Sequence, residues 1–240
     1  MTLVIDILSR AARQCSITVP SSWLTTTALD HIELRDDYLL EAVEDVLDRF
    51  DMPTPIGKQY TIPSDGSEVY ALPSDFRRLA RSDLAVYETT TTRRRAWPIT
   101  SDGEWTNIKE IGATGGKRFY RLSGYDGAWS IAFYDEPSAA IEMIVSYVSQ
   151  NWIASSAGAF KEALTDAGDV ALLPRRLLEA GILWRFRRRN GLPYDDVQRE
   201  YEMYMQRMSD DTRGRRTISY GEEPAMRPWD APVPGFIPRA

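Results

Sequence analysis

The chain of 240 residues has one cysteine, Cys15, and one histidine, His31. A single cysteine closes no internal disulfide, and this pair alone cannot build the usual zinc clusters, so no metal and no cofactor are expected. Long apolar runs are missing too: no stretch approaches the roughly 20 apolar residues that a membrane-spanning helix needs. The opening Met1-Thr-Leu-Val-Ile-Asp6 carries an acid and no basic start, unlike a signal peptide. The expectation is a protein made and kept in the cytoplasm, or in something assembled there, with no membrane partner. Positive charge is also short, with 29 Lys and Arg against 35 Asp and Glu, a net charge of -6 and a pI near 5.0. That balance disfavours nucleic-acid binding by the surface as a whole and favours protein partners.

What is present describes an ordered globular protein. Hydrophobic residues make up 43% and charged residues 27%, and seven Trp with twelve Tyr argue against general disorder. The length suits one large domain, or a compact domain carrying an insertion.

Leu3, Val4, Ile7, Leu8, Ala11 and Ala12 recur at helical spacing, which predicts an amphipathic helix over residues 2 to 15. A second helix is predicted from Thr27 to Asp51, with Leu39, Leu40, Val43, Val46, Leu47 and Phe50 on one face and acids on the other. From Met52 the texture changes, because Pro53, Pro55, Gly57 and Pro63 break any helix. Candidate strands follow at Gln59 to Ile62, Glu68 to Ala71, Leu84 to Thr90, Ala96 to Ile99, Arg118 to Ser123, Trp129 to Tyr134 and Ile141 to Val148. Asp65-Gly66 and Asp126-Gly127 read as hairpin-type turns between them. Leu72-Pro73-Ser74-Asp75-Phe76 reads as a strand end followed by a turn or a one-turn helix. Helix returns at Pro174, a residue suited to the first helical position, and stops at Asn190-Gly191; Pro193 opens another helix over about Tyr194 to Ser209.

The fold class read from this order is α+β: a helical bundle from both chain ends, an inserted β-rich domain and an extended C-terminal arm. Its parts are residues 1–55, the N-terminal helices; 56–153, the β-rich insertion; 154–211, a C-terminal helical hairpin; and 212–240, the arm. The arm holds Pro224, Pro228, Pro232, Pro234 and Pro238, too many prolines to fold alone. It nevertheless keeps Trp229, Phe236 and Ile237, flanked by Arg227 and Arg239. Apolar anchors between prolines lower the entropy cost of holding an extended shape, so the arm reads as a docking peptide for a neighbouring subunit.

Catalytic signatures are thin. Cys15 and His31 resemble a nucleophile pair, but Cys15 ends a helix and no glycine turn presents it. Asp135-Glu136 follows an aromatic strand, as a glycosidase carboxylate does, which keeps a lytic cell-wall enzyme open as an alternative. Adjacent strand residues point to opposite faces, however, and an acid before Pro137 is ordinary turn chemistry. Gly112-Ala-Thr-Gly115-Gly116-Lys117 lacks the spacing of a phosphate loop and precedes a strand where that loop needs a helix. Basic clusters are more substantial: Arg93, Arg94 and Arg95 in a threonine-rich loop, and Arg185, Arg187, Arg188 and Arg189 at a helix end, where they also complement the helix dipole. Either cluster suits acidic protein surfaces or DNA phosphates, and neither belongs to a sequence-reading module.

The order of features resembles the head-to-tail adaptor, or connector, proteins of tailed phages, especially the short-tailed type. The resemblance runs to about Asp211 and rests on Ile7-Leu8-Ser-Arg-Ala-Ala12-Arg, the acidic helix ending near Asp48-Arg-Phe50, and Tyr70-Ala-Leu-Pro73-Ser-Asp75-Phe76-Arg77. It continues through Phe133-Tyr134-Asp135-Glu136-Pro137, Tyr147-Val-Ser-Gln-Asn-Trp152 and Asp169-Val-Ala-Leu-Leu-Pro174. It implies a non-enzymatic virion protein at the head-to-tail interface. Copies would form a ring, commonly twelve-fold, that docks on the portal, extends the DNA channel and presents a surface to a downstream tail or nozzle protein. The resemblance further implies that residues 212–240 reach into the portal. The acids Asp36, Asp37, Glu41 and Glu44 then have two roles open: pairing with the basic helix end of an adjacent subunit, or lining a channel that keeps packaged DNA sliding, with contact to DNA non-specific. A tail-tube or tail-terminator ring protein is the remaining alternative.

Overall fold

A computed structural model of the chain describes residues 2–89, 93–112, 116–125, 127–138 and 141–212. The arm anchors Arg227, Trp229, Phe236, Ile237 and Arg239 therefore lie outside the described residues, as does Asp126.

The helical spacing at the start of the chain is realised closely. After a short strand, β1 (Thr2–Leu3), helix α1 (Val4–Gln14) buries Val4, Ile7, Leu8, Ala11 and Ala12 completely. The second helical region comes in three pieces: α2 (Leu29–Ile32), a π-helical turn (Glu33–Tyr38) and α3 (Leu39–Arg49). In α3 the buried set is Leu39, Ala42, Val43, Val46 and Leu47, an i, i+3, i+4, i+7, i+8 stripe. Leu40 falls off that stripe and is 39% exposed, which corrects its assignment to the apolar face. Phe50 is half-buried just past the helix end.

The middle of the chain folds into a curled sheet. Its strands are β2 (Gly57–Ile62), β3 (Val69–Ala71), β4 (Phe76–Leu79), β5 (Val86–Thr89), β6 (Arg93–Pro98), β7 (Arg118–Ser123), β8 (Ser130–Tyr134) and β9 (Glu142–Ser149), and helix α4 (Asp102–Ile111) lies between β6 and β7. The spatial order is β2-β9-β5-β6-β7-β8-β3, with β4 also paired to β9. β6 and β7 run parallel, so they need a crossover, and α4 supplies it. Every candidate strand has a counterpart, but β4 and α4 were not anticipated. Alternate residues line a second core that includes Phe76, Val86, Tyr120, Ile131, Phe133 and Met143. Asp65-Gly66 is a turn, yet β2 pairs with β9 and β3 with β8, so it joins strands that are not partners and is no hairpin. The segment Ser74-Asp75 is likewise a turn, and it opens β4 rather than a helix.

A four-stranded sheet of very short strands ties the start of the chain to its second half. β10 (Ile153–Ala154), β11 (Phe160–Lys161) and β12 (Val170–Ala171) join β1 in the order β1-β12-β10-β11. Beyond it come α5 (Arg175–Arg189), with Pro174 as its N-cap residue, and α6 (Asp195–Thr212). Gly191 takes φ 65° at the end of α5, the left-handed position that glycine occupies at low cost. Buried residues of α1, α3, α5 and α6 enter one hydrophobic cluster.

Gly181 marks the tightest approach in that cluster. A Cβ there would lie 2.8 Å from the Ala42 Cβ and 3.1 Å from Cε2 of Tyr201, so α5 needs a bare backbone where it meets α3 and α6. Gly181→Val is expected to destabilise the protein by about 1–3 kcal/mol through overpacking. Urea denaturation followed by tryptophan fluorescence checks this, and an unchanged midpoint would contradict it.

Candidate assembly surface

The acidic side of α3 and the basic end of α5 meet within the chain. Arg185, 9% exposed, donates to the carbonyls of Gly181 (3.0 Å) and Glu41 (3.3 Å) and pairs with the Asp45 carboxylate at 3.2 Å and that of Glu41 at 3.3 Å. Its guanidinium lies 4.5 Å from the Trp184 ring centre and 5.5 Å from that of Tyr201. The Tyr201 hydroxyl donates to Asp45 at 2.8 Å, and Arg49 reaches the same carboxylate at 2.7 Å. Burial, then the Asp45 charge, raises the Tyr201 phenol above its ordinary range, so it stays a donor at neutral pH.

The neighbouring charges follow the same plan. Arg189 pairs with Asp37 at 3.2 Å, and Arg187 pairs with Asp196 at 3.2 Å. Arg188 is exposed and stands 6.0 Å from the Trp184 ring. The pairing imagined between an acidic helix and the basic helix of an adjacent subunit is thus made inside one chain for Arg185, Arg189, Asp37 and Glu41, because α3 and α5 pack side by side. Asp36 is held by Arg35 at 2.7 Å. Glu44 is exposed and has no cation within ion-pair distance among the described residues.

A second cluster fastens the sheet to the helices. β4 and the residues after it carry Arg77, Arg78 and Arg81. Arg78 donates to the carbonyls of Leu47 (2.9 Å) and Phe50 (2.6 Å) and pairs with Asp51 at 2.8 Å. Arg81 donates to the carbonyls of Asp48 (2.7 Å) and Arg49 (3.1 Å), and Arg77 pairs with Asp48 at 2.7 Å. The last carbonyls of a helix lack intrahelical donors and carry the negative end of its dipole. The Arg78 and Arg81 guanidiniums satisfy them, while Arg77 holds the Asp48 carboxylate beside them. These residues were missed at the sequence level, although the run Phe76-Arg-Arg-Leu-Ala-Arg81 shows their charge.

Asp75, one residue before β4, joins three elements. Its carboxylate accepts from Lys58 (2.5 Å), the Ser149 hydroxyl (2.7 Å) and the Tyr147 hydroxyl (3.0 Å). Burial alone would raise its pKa, but Lys58, Ser149 and Tyr147 outweigh that and hold it below the usual carboxylate value. A carboxylate depressed in the folded state contributes stability above its unfolded pKa, near 4, and loses it as the pH falls through the folded value. Asp75→Asn is therefore expected to unfold more easily at pH 7 and to lose less stability than the wild type below about pH 4. Denaturant midpoints between pH 7 and pH 3 test this, and parallel acid profiles for the two chains would contradict it.

The remaining candidates are distributed over the molecule. Arg93, Arg94 and Arg95 stand in strand β6, not in a loop: Arg95 opposes Tyr87, Arg94 opposes Glu88 and Arg93 opposes Thr89. Cys15 is half-buried, and burial pushes its thiol up to about 12. His31 is occupied elsewhere, with ring nitrogens 2.8 Å from the Thr26 hydroxyl and 2.7 Å from the Thr18 carbonyl. Asp135 and Glu136 are exposed after β8, and the Asp135 carbonyl accepts from Arg118. Gly112 closes α4 at φ 67°, a helix-ending role in place of phosphate cradling. Among the described residues, no helix is long and apolar enough to cross a membrane.

The helices are braced by internal ion pairs, the sheet is clamped to them, and charged faces such as that around Glu44 stay exposed. The chain belongs to the SU10 adaptor protein family, whose model matches residues 3–231. It is accordingly a phage adaptor, a structural component of the virion, and the resemblance to head-to-tail adaptors is borne out. The match continues past Asp211 to residue 231, so it covers most of the arm. No curated protein matches the chain.

Proposed function

We propose that this adaptor forms a ring, twelve-fold in the reading favoured here, that docks on the portal, extends the DNA channel and presents the attachment surface for a downstream tail or nozzle protein. The observation that carries this reading is the family match from residue 3 to 231, which spans the helices, the sheet and most of the arm. In this account residues 1–55 and 154–211 act as one helical bundle, since α1, α3, α5 and α6 share one hydrophobic cluster. Residues 56–153 form the insertion, held by the Arg77, Arg78 and Arg81 clamp. Residues 212–240 are the arm, whose Trp229, Phe236 and Ile237 seat in the portal with Arg227 and Arg239 beside them.

Subunits wait in the host cytoplasm until a portal is ready. One weak arm per copy then becomes a strong attachment when a ring of arms docks together, through effective concentration. The role is mechanical and needs no catalytic group, and contact with packaged DNA is non-specific. Disabling the gene is expected to yield DNA-filled heads without tails, with normal particles restored by the chain supplied in trans. Tailed but non-infectious particles would contradict the adaptor role and would favour the lytic alternative, for which the purified chain would release peptidoglycan fragments.

A further inference from the structure

Two unlike surfaces of the chain are opposite in charge, one an open groove and the other led by an exposed aromatic ring. The first is a groove of about 690 Å³ along α3. Val43, Leu47 and Trp152 are buried along it, and Leu40 is 39% exposed at its lip. Its charged lining is Asp36, Glu44, Asp48 and Glu162 against Arg35 and Arg77. Arg35 already pairs with Asp36 and Arg77 with Asp48. Glu44 and Glu162 are exposed and have no cation within ion-pair distance among the described residues. The groove is therefore acidic, with an apolar floor.

The second surface is the outer side of β6, basic and led by an aromatic ring. Trp97 is 41% exposed, with the Arg95 guanidinium 4.6 Å and the Lys117 ammonium 5.3 Å from its ring centre. Arg93 lies on the same side of the strand, and Arg94 has a side chain 67% exposed on the other. Among the described residues two acids pair with this cluster. Asp83 reaches Arg95 at 3.1 Å, an exposed pair of small worth, and Glu88 lies 3.8 Å from Arg94 but closer, at 3.1 Å, to the buried Arg118. Cations on an indole leave it stiff and amphipathic, which is the chemistry of an interface anchor.

We propose that Trp97 and its flanking cations from one copy enter the α3 groove of the next copy. Different patches of one chain then meet, a heterologous contact that generates a ring when its rotation closes. The proposal rests on the ring reading and deepens it by naming the two faces. Like charge keeps wrong pairings apart: groove against groove sets acid on acid, and β6 against β6 sets arginine on arginine.

Sedimentation of the full chain at about 50 mM salt tests the contact. Wild type is expected to self-associate with rising concentration, and Trp97→Ala, whose side chain is exposed and whose fold should be intact, to weaken association at least about 30-fold. Glu44→Lys with Glu162→Lys should weaken it likewise, as should Arg93→Glu with Arg95→Glu, and combining all four reversals in one chain should restore most of it. Circular dichroism confirms that each variant is folded. Wild-type association in folded Trp97→Ala and both reversal pairs would overturn the contact while leaving the ring reading intact. A wild-type chain that stays monomeric at millimolar concentration would overturn it too. If removing residues 213–240 reproduces the groove reversal while Trp97→Ala is silent, the groove belongs to the arm and the proposal falls. Absence of any ring of this chain from the particle would instead sink the adaptor reading itself.

Discussion

Replacing Arg185 by alanine is expected to lower the free energy of unfolding by about 3 kcal/mol, and the thermal midpoint by roughly 6–12 °C for a chain of this size. The guanidinium is 9% exposed and pairs at once with Glu41 and Asp45, donates to two backbone carbonyls and lies against two aromatic rings. Removing it leaves Asp45, 20% exposed in its side chain, with Arg49 and the Tyr201 hydroxyl as its remaining partners among the described residues. It also opens space between Trp184 and Tyr201, since a buried arginine stem packs as well as pairs. Arg185→Met keeps most of that volume and should recover part of the loss. A double-mutant cycle with Tyr201→Phe should show coupling, because both side chains share Asp45. A loss below 1 kcal/mol for Arg185→Ala would mean that this network does not brace the helices.

The second large effect is on assembly and not on folding. Ending the chain after Thr212 is expected to leave the free energy of unfolding within about 0.5 kcal/mol of wild type, because the described residues up to Met208 already pack into hydrophobic clusters with one another. Attachment to portal-bearing heads should nevertheless fall by about 100-fold or more, since the proposed ring would lose its whole set of linked anchors at once. Trp229→Ala should give an intermediate loss. Tailed-particle counts from heads complemented with each variant measure this. Normal counts from the truncated chain would remove the arm from the account.

These effects were legible in the sequence to different degrees. Helices α1, α3, α5 and α6 could be read because their apolar residues recur every three or four positions, and the longer strands because β-branched and aromatic residues cluster between turn residues. Helix α4 escaped, although Ser101 and Glu104 stand in capping-box spacing and Gly112 follows its end. Only Trp105 is buried along it, which leaves too faint a periodic signal. Two-residue strands such as β10, β11 and β12 have no period to detect; their pairing, β12 to β1 and β10 to β12 and β11, follows from tertiary packing.

The charged groups were visible as clusters, but their partners were not. Arg185 finds Asp45 140 positions away, and only the packing of α5 on α3 brings them together. The same reason hid the clamp, where Arg78 and Arg81 answer helix-end carbonyls that carry no mark in the sequence. The threonines before Arg93, Arg94 and Arg95 suit a loop or a strand equally well, and pairing with β5 makes the segment a strand.

Electron cryomicroscopy of intact particles, with this chain identified by fitting α1, α3, α5, α6 and the β2–β9 sheet into density, decides whether it forms the proposed ring between portal and tail. The account predicts a closed ring of this chain immediately beneath the portal, with residues 212–240 directed toward the portal and the DNA path running through its centre. Density for this chain within the tail tube, at its terminus or at the tail tip, with another protein under the portal, would contradict it.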